Sequence, residues 1–244
     1  MFMEKRHITK LVLTIFSLIF LCVHVSAFSQ ITEFKSDSIC NLSGTRHHPI
    51  IQDFILPLSL FGTGFALSTD NDILDKYKVR EERNETFRNF HTSADDYLQF
   101  APLAAGYSML AFGANGNTWH YTRQIMLTEF IVGVSVTGIK TWTKVLRPDG
   151  NSKNSFPSGH TAQAFASATL FADYFAEGKP LLKIVAYLCA SSVGVMRVMN
   201  NRHWVPDVVA GAGVGILSAK LSSYVFEKRC KKKHHREIHV LSGF

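Results

Sequence analysis

The feature that most limits how this chain can fold is the gathering of its apolar residues into blocks of about 17 to 20. Each block is long enough to cross a hydrocarbon layer as a helix, and one of the stretches between them, 70–96, is dense in charge. They fall at approximately 50 to 68, 97 to 113, 124 to 143, 158 to 177, 181 to 198 and 205 to 227. No alternating strand pattern competes with them, so the expected fold is all-α: a six-helix bundle embedded in a membrane. The apolar fraction is 46%, yet several blocks carry Asp, Lys or Arg. A wholly soluble helical bundle is the alternative this mixture leaves open.

Ahead of the blocks, Lys5, Arg6, His7 and Lys10 precede LVLTIFSLIFLCVHV, and Val25-Ser26-Ala27 offers small residues for cleavage. This is the pattern of a secretory signal peptide over residues 1–27, with an uncleaved anchor helix as the alternative. Residues 28–49 form a polar segment, where His47 and His48 read as solvated neighbours rather than metal ligands. Residues 50–227 form one domain, and 228–244 a basic tail carrying Lys231, Lys232, Lys233 and Arg236. Such a tail suits anionic headgroups or a cytoplasmic end, or is simply solvated. It lacks aromatic residues before Phe244, so nucleic-acid binding is rejected. The cysteines Cys22, Cys40, Cys189 and Cys230 form no CxxC pair. They predict neither a zinc site nor a disulfide framework.

Between the first two blocks, residues 70–96 are strongly charged, with Lys76, Lys78, Arg80, Glu81, Glu82, Arg83, Glu85 and Arg88. They read as a solvated connecting helix, an amphipathic helix on the membrane surface, or a lid over a site. In the last block, GAGVG at 211–215 puts Gly211 and Gly215 four residues apart, suited to close helix packing. No strand precedes it, which argues against a nucleotide loop.

Two polar clusters carry the candidate chemistry. In the first, KTWTKVLRPDGNSKNSFPSGH from 140 to 160, Lys140, Lys144 and Arg147 are spaced to share one helical face before Pro148 ends the helix. Three cations on one face call for an anion, or else mark a membrane boundary. Pro157 and Ser158 then stand where a new helix begins, with Gly159 and His160 in its first turn. Free N–H groups at that end bind anions, Gly159 allows close backbone approach, and His160 stands ready as a proton donor. Taken alone, the same residues are a plain helix cap. In the second cluster, RVMNNRHWVPD from 197 to 207, Arg197 ends a block, and His203 and Asp207 are four apart. A carboxylate beside an imidazole sets its tautomer and supports a positive charge on it, as a nucleophile or base needs. A satisfied pair without chemistry has the same spacing.

Lys140-xxxxxx-Arg147-Pro148, PSGH at 157–160 and Arg197-xxxxx-His203-xxx-Asp207 together resemble, in order, the three signature motifs of the phosphatidic acid phosphatase type 2 family. The resemblance covers roughly residues 97 to 227. One departure is Met196, where the family usually has Ser before the Arg. The resemblance implies the six-helix phosphatase and haloperoxidase fold. It also implies a phosphatase needing no metal and no cofactor, in which His203 attacks phosphorus to give a phosphohistidine, Asp207 orients it and His160 protonates the leaving oxygen. Lys140, Arg147, Arg197, Ser158 and the Gly159 N–H hold the phosphoryl oxygens.

The expected function is therefore a membrane lipid phosphate phosphatase at the periplasmic side of a bacterial inner membrane. Its substrate would be a lipid A phosphate, undecaprenyl diphosphate or phosphatidylglycerophosphate, with no obligate protein partner. A soluble periplasmic acid phosphatase and a vanadate-dependent haloperoxidase are the alternatives. If the leader is cleaved and every block spans, both clusters face the cytoplasm, against that expectation and against the positive-inside rule for the tail. One block is then expected not to span, either 97–113 or 50–68.

Overall fold

The computed structural model describes residues 50–69, 75–114 and 116–241, with the backbone alone for residue 50 and for 227–241. The expected signal peptide, the polar segment 28–49 and Cys22 and Cys40 lie outside the described residues. So do the side chains of Cys230 and the basic tail.

Among the described residues all regular structure is helical. The helices are α1 Ile50–Ser68, α2 Lys76–Thr86, α3 Ala94–Leu98, α4 Ala101–Ala111, α5 Thr118–Thr143, α6 Gly159–Phe175, α7 Pro180–Met199 and α8 Val205–Leu241. Local chemistry sets several ends. Asp75 caps α2 by accepting from the N–H groups of Tyr77 and Lys78, and Asn117 caps α5 by accepting from that of His120. Gly178, at φ +66°, turns the chain between α6 and α7.

α6 is the centre of the bundle. Nearly every residue from Thr161 to Ala172 is buried, and its small residues let α7 and α8 approach closely. A Cβ on Gly215 would stand 2.1 Å from the Ala162 carbonyl oxygen, and one on Gly211 2.6 Å from that of Ser158. A Cβ on Gly213 would meet Phe61 N at 2.6 Å. The GAGVG segment is thus wedged between α6 and α1, a packing role and not a nucleotide loop. Large apolar side chains meanwhile face outward: Ile51, Ile55 and Leu58 on α1, Met126, Phe130 and Val134 on α5, Leu181, Val185 and Leu188 on α7. Their helical spacing makes apolar outer faces.

Among the described residues, four helices are long and apolar enough to cross a membrane: Ile51–Ser68, Thr118–Thr143, Pro180–Met199 and Val205–Phe226. The block expected at 97–113 is instead the five-residue α3 followed by the 11-residue α4, too short to span. The block at 50–68 has the length to cross, and α6 has 17 residues. Two boundaries also move: α5 begins at Thr118, where Asn117 caps it, and α8 continues past 227 to Leu241.

Candidate active site

From α5 to α8 successive helices run in opposite directions, so the end of α5, the start of α6, the end of α7 and the start of α8 meet at one end of the bundle, where α1 also ends, Phe65 stacking on Trp142 at 6.3 Å. That end holds Lys140, Ser158 to His160, Arg197, and His203 with Asp207. The expectation that Lys140, Lys144 and Arg147 share one helical face is corrected here. α5 stops at Thr143, and Lys144 takes the left-handed conformation at φ 48°. Arg147 is carried instead by a folded loop. Its N–H bonds to Ser152 O at 2.9 Å, while Ser155 N–H bonds to Val145 O at 2.9 Å. The loop is anchored to both neighbours: Lys140 Nζ donates to Asn154 O at 2.7 Å, and Trp204 Nε1 to Leu146 O at 2.8 Å. Arg202 pairs with Asp149 at 3.1 Å. The Phe156–Pro157 peptide is cis.

Ser158 caps α6. Its buried hydroxyl oxygen accepts from Thr161 Oγ1 at 2.9 Å, and its N–H bonds to Asp207 O at 2.9 Å, linking the two clusters directly. Beside it, a Cβ on Gly159 would meet nothing nearer than Val136 Cγ1 at 3.5 Å. That is ordinary contact, so packing within the chain does not demand glycine there.

His203 lies in the turn between α7 and α8, which Asn201 makes possible at φ 58°. Its ring and the Asp207 carboxylate are each 1% exposed. Nδ1 stands 3.4 Å from Asp207 Oδ2, longer than a usual hydrogen bond and therefore an electrostatic pairing. That oxygen already accepts from Ser155 Oγ at 2.5 Å and from Trp204 N–H at 2.9 Å. Asp207 is thus held by two donors, and Nε2 is the imidazole nitrogen turned from it. Burial pushes His203 down to about 4, with Asp207 opposing and the Lys140 and Arg197 charges adding to the fall. The ring is neutral at neutral pH, with an unprotonated nitrogen for attack.

Lys140, Arg147 and Arg197 lie close enough to feel one another's charge and, for the first two, that of Asp207. Among the described residues, five buried side-chain polar atoms have no hydrogen-bond partner: Tyr121 Oη, Arg147 Nε, Arg197 Nε, His203 Nδ1 and Asp207 Oδ1. Four of the five belong to this cluster, and the two arginine donors suit an anion.

Three residues beyond the motifs belong to the same constellation. Ser155 holds Asp207. Asp95, 1% exposed, accepts from Arg197 Nη1 at 2.6 Å, and Asp96 Oδ1 lies 2.9 Å from His160 Nε2. Of the charged stretch 70–96, the described residues 75–96 are mostly exposed, as in a solvated connector, but are tied to the bundle at particular points. Arg83 on α2 donates to Met199 O, and Tyr77 packs edge-on against Trp204 at 5.4 Å, so α2 and α3 lie over the site. Sequence reading grouped these charges without finding their partners.

Residues 118–231, which contain all these motif positions, match the family model of the PAP2 superfamily. The lipid A 1-phosphatase of Porphyromonas gingivalis is 40% identical over 150 residues, 60% of this chain and 34% of that protein. The phosphatidylglycerophosphatase B of Bacillus subtilis is 33% identical over 91 residues, 32% of this chain and 45% of that protein. The matches thus span between a third and a half of these relatives' lengths. The crystal structure of a transmembrane PAP2-type phosphatidylglycerolphosphate phosphatase from Bacillus subtilis superposes with a TM-score of 0.50. It is 21% identical and covers 73% of this chain and 96% of that one, a likeness of fold.

Proposed function

Over residues 118–231 the chain belongs to the PAP2 superfamily, and on that premise we propose that it is a membrane lipid phosphate phosphatase working through a phosphohistidine. The observation that carries this reading is the neutral, buried His203 beside Asp207, facing the cations Lys140, Arg147 and Arg197 at one end of the bundle. His203 Nε2 attacks phosphorus as the leaving oxygen departs with a proton from His160. Lys140, Arg147, Arg197, the Ser158 hydroxyl and the Gly159 N–H hold the phosphoryl oxygens where charge accumulates. Asp207 supports the positive charge that phosphorylation places on the ring. Water then attacks phosphorus, with His160 taking its proton. The three cations carry the charge neutralisation, so the reaction is proposed to need no metal.

The substrate is a phosphomonoester or diphosphate of a membrane lipid. The names of the curated relatives favour a lipid A phosphate over phosphatidylglycerophosphate or undecaprenyl diphosphate. The outward apolar faces support a membrane enzyme over a soluble acid phosphatase. The site is proposed to face the periplasm across the inner membrane. α8 starts at the site, and its 37 residues run away from it for roughly 55 Å, which supports a basic tail on the opposite side, the one proposed as cytoplasmic.

Phosphate release by the purified protein over a panel of these lipid phosphates, with and without chelator, tests the reading. Release is expected from at least one lipid and is unchanged by chelator, whereas His203→Ala abolishes both release and the trapped phosphoenzyme. Full activity in His203→Ala refutes the mechanism, and loss to chelator refutes metal independence.

A further inference from the structure

We propose that Asp96 is the positioning residue for His160, fixing through Nε2 the ring whose Nδ1 passes the proton to the leaving group; this rests on the phosphatase reading above. α3 is only five residues long and carries Asp95 and Asp96 in its first turn. Consecutive helical residues point about 100° apart, so the two carboxylates address different neighbours. Asp95 accepts from Arg197 Nη1 on α7 at 2.6 Å and from Asn200 Nδ2 at 3.2 Å. Asp96 takes His160 on α6 at 2.9 Å and lies 3.8 Å from Arg197 Nη1.

Asp96 is held in place by the fold. Asn200, just past α7, bonds reciprocally to Thr92: its Oδ1 accepts from the Thr92 N–H at 2.9 Å, and its Nδ2 donates to Thr92 O at 2.8 Å. Arg83 Nε donates to Met199 O at 2.7 Å. The α2–α3 segment is therefore tied at several points to the end of α7 that presents Arg197. His160 and Asp96 are 32% and 52% exposed at their side chains. A contact this open gains little stability by itself, so its geometry is better explained by what it does to the ring.

With Nε2–H donated to Asp96, Nδ1 is the nitrogen left to face the substrate. In the first half-reaction the His203 Nε2–P bond forms, the P–O bond to the leaving group breaks, and the Nδ1 proton of His160 goes to that oxygen. In the second, water oxygen bonds to phosphorus, the N–P bond breaks, and a water proton returns to Nδ1. Nε2 keeps its proton and the ring keeps one orientation in both steps, the ring being the imidazolium before the first transfer and the neutral Nε2–H form after it, and Asp96 holds both the Nε2 proton and the orientation. His203 with Asp207 and His160 with Asp96 thus form two histidine–carboxylate pairs, one for attack and one for proton transfer.

Asp96→Asn, purified in the same detergent as the wild type, is assayed on an alkyl phosphate monoester and on p-nitrophenyl phosphate, whose leaving group needs no proton. Because proton transfer contributes about 10²- to 10⁴-fold, kcat/KM for the alkyl ester is expected to fall by about tenfold or more. For the aryl ester it falls less than about threefold, inhibition by inorganic phosphate stays within about threefold, and Asp96→Glu restores part of the alkyl activity. Equal losses on both esters, or no loss on either, overturn the proposal. Tighter phosphate inhibition with rising activity also overturns it, since the carboxylate then merely occupies the anion's place. A wild type inactive on both esters and on every lipid phosphate of the panel above overturns the phosphatase reading, and this inference falls with it. An active wild type without the leaving-group split sinks this inference alone.

Discussion

Replacing Asp207 with Asn removes one charge and almost no volume, so it isolates what the carboxylate does for His203. The two groups are 3.4 Å apart and both are buried. At an effective dielectric constant of about 20, unit charges at that distance attract by about 5 kcal/mol. Only part of the imidazole's positive charge has developed when phosphorus is transferred. Half of it corresponds to about 2–3 kcal/mol, a fall in kcat of about 30- to 160-fold, and a full charge sets an upper limit of several thousandfold. The Asn oxygen can still accept from Ser155 Oγ or the Trp204 N–H. The fold is therefore expected to lose only about 1–3 kcal/mol, visible as a modest drop in thermal midpoint in detergent. Single-turnover phosphoenzyme formation, read beside phosphate release, separates the attack from later steps. If attack in a folded Asp207→Asn enzyme slows by less than about threefold, the electrostatic role assigned to this carboxylate is wrong.

Three further outcomes follow from the same geometry. Gly159→Ala places its Cβ 3.5 Å from Val136, whereas Gly211→Ala drives one to 2.6 Å from Ser158 O. The first is expected to leave thermal stability within about 0.5 kcal/mol while lowering kcat/KM at least about tenfold, the second to cost about 1–3 kcal/mol; an active, unfolded-prone Gly159→Ala contradicts this. NMR of labelled histidine should show His203 neutral down to about 4, and a titration near the ordinary 6.5 refutes its burial. Because the folded value lies below the unfolded one, this residue's contribution to stability is complete above pH 6.5 and is lost as pH falls toward about 4. Lys220 pairs with the partly exposed Asp173 at 2.8 Å and has Asp53 at 3.9 Å as a second partner, so Asp173→Ala is expected to lower stability by only about 1–2 kcal/mol, with KM for substrate unchanged, as measured by thermal unfolding and steady-state assay.

Much of the architecture is legible in the order of residues, because helix periodicity, caps and glycine spacing are local properties. The blocks at 50–68, 158–177 and 181–198 are helices within a residue or two of their expected ends, and Gly211 with Gly215 is a packing pair. The motif residues were recognised together because their spacings are fixed along the chain. The block 97–113 differs from the expected helix because its apolar residues flank a polar Gln99 and a Pro102, and the backbone breaks between them into α3 and α4.

The sequence alone determined which side chains are available, where several of the helices start and stop, and which surfaces are apolar enough for lipid. It did not determine which charge answers which, since those partners are far apart in the chain: Ser155 and Asp207 by 52 residues, Asp96 and His160 by 64, Asp95 and Arg197 by 102. Nor did it show that Arg147 is delivered by a loop and not by the face of α5, because a helix end set by a left-handed Lys144 leaves no periodic trace. Periodicity reports neighbours three and four residues away, whereas a site built at the meeting ends of several helices is made of contacts that only their packing creates.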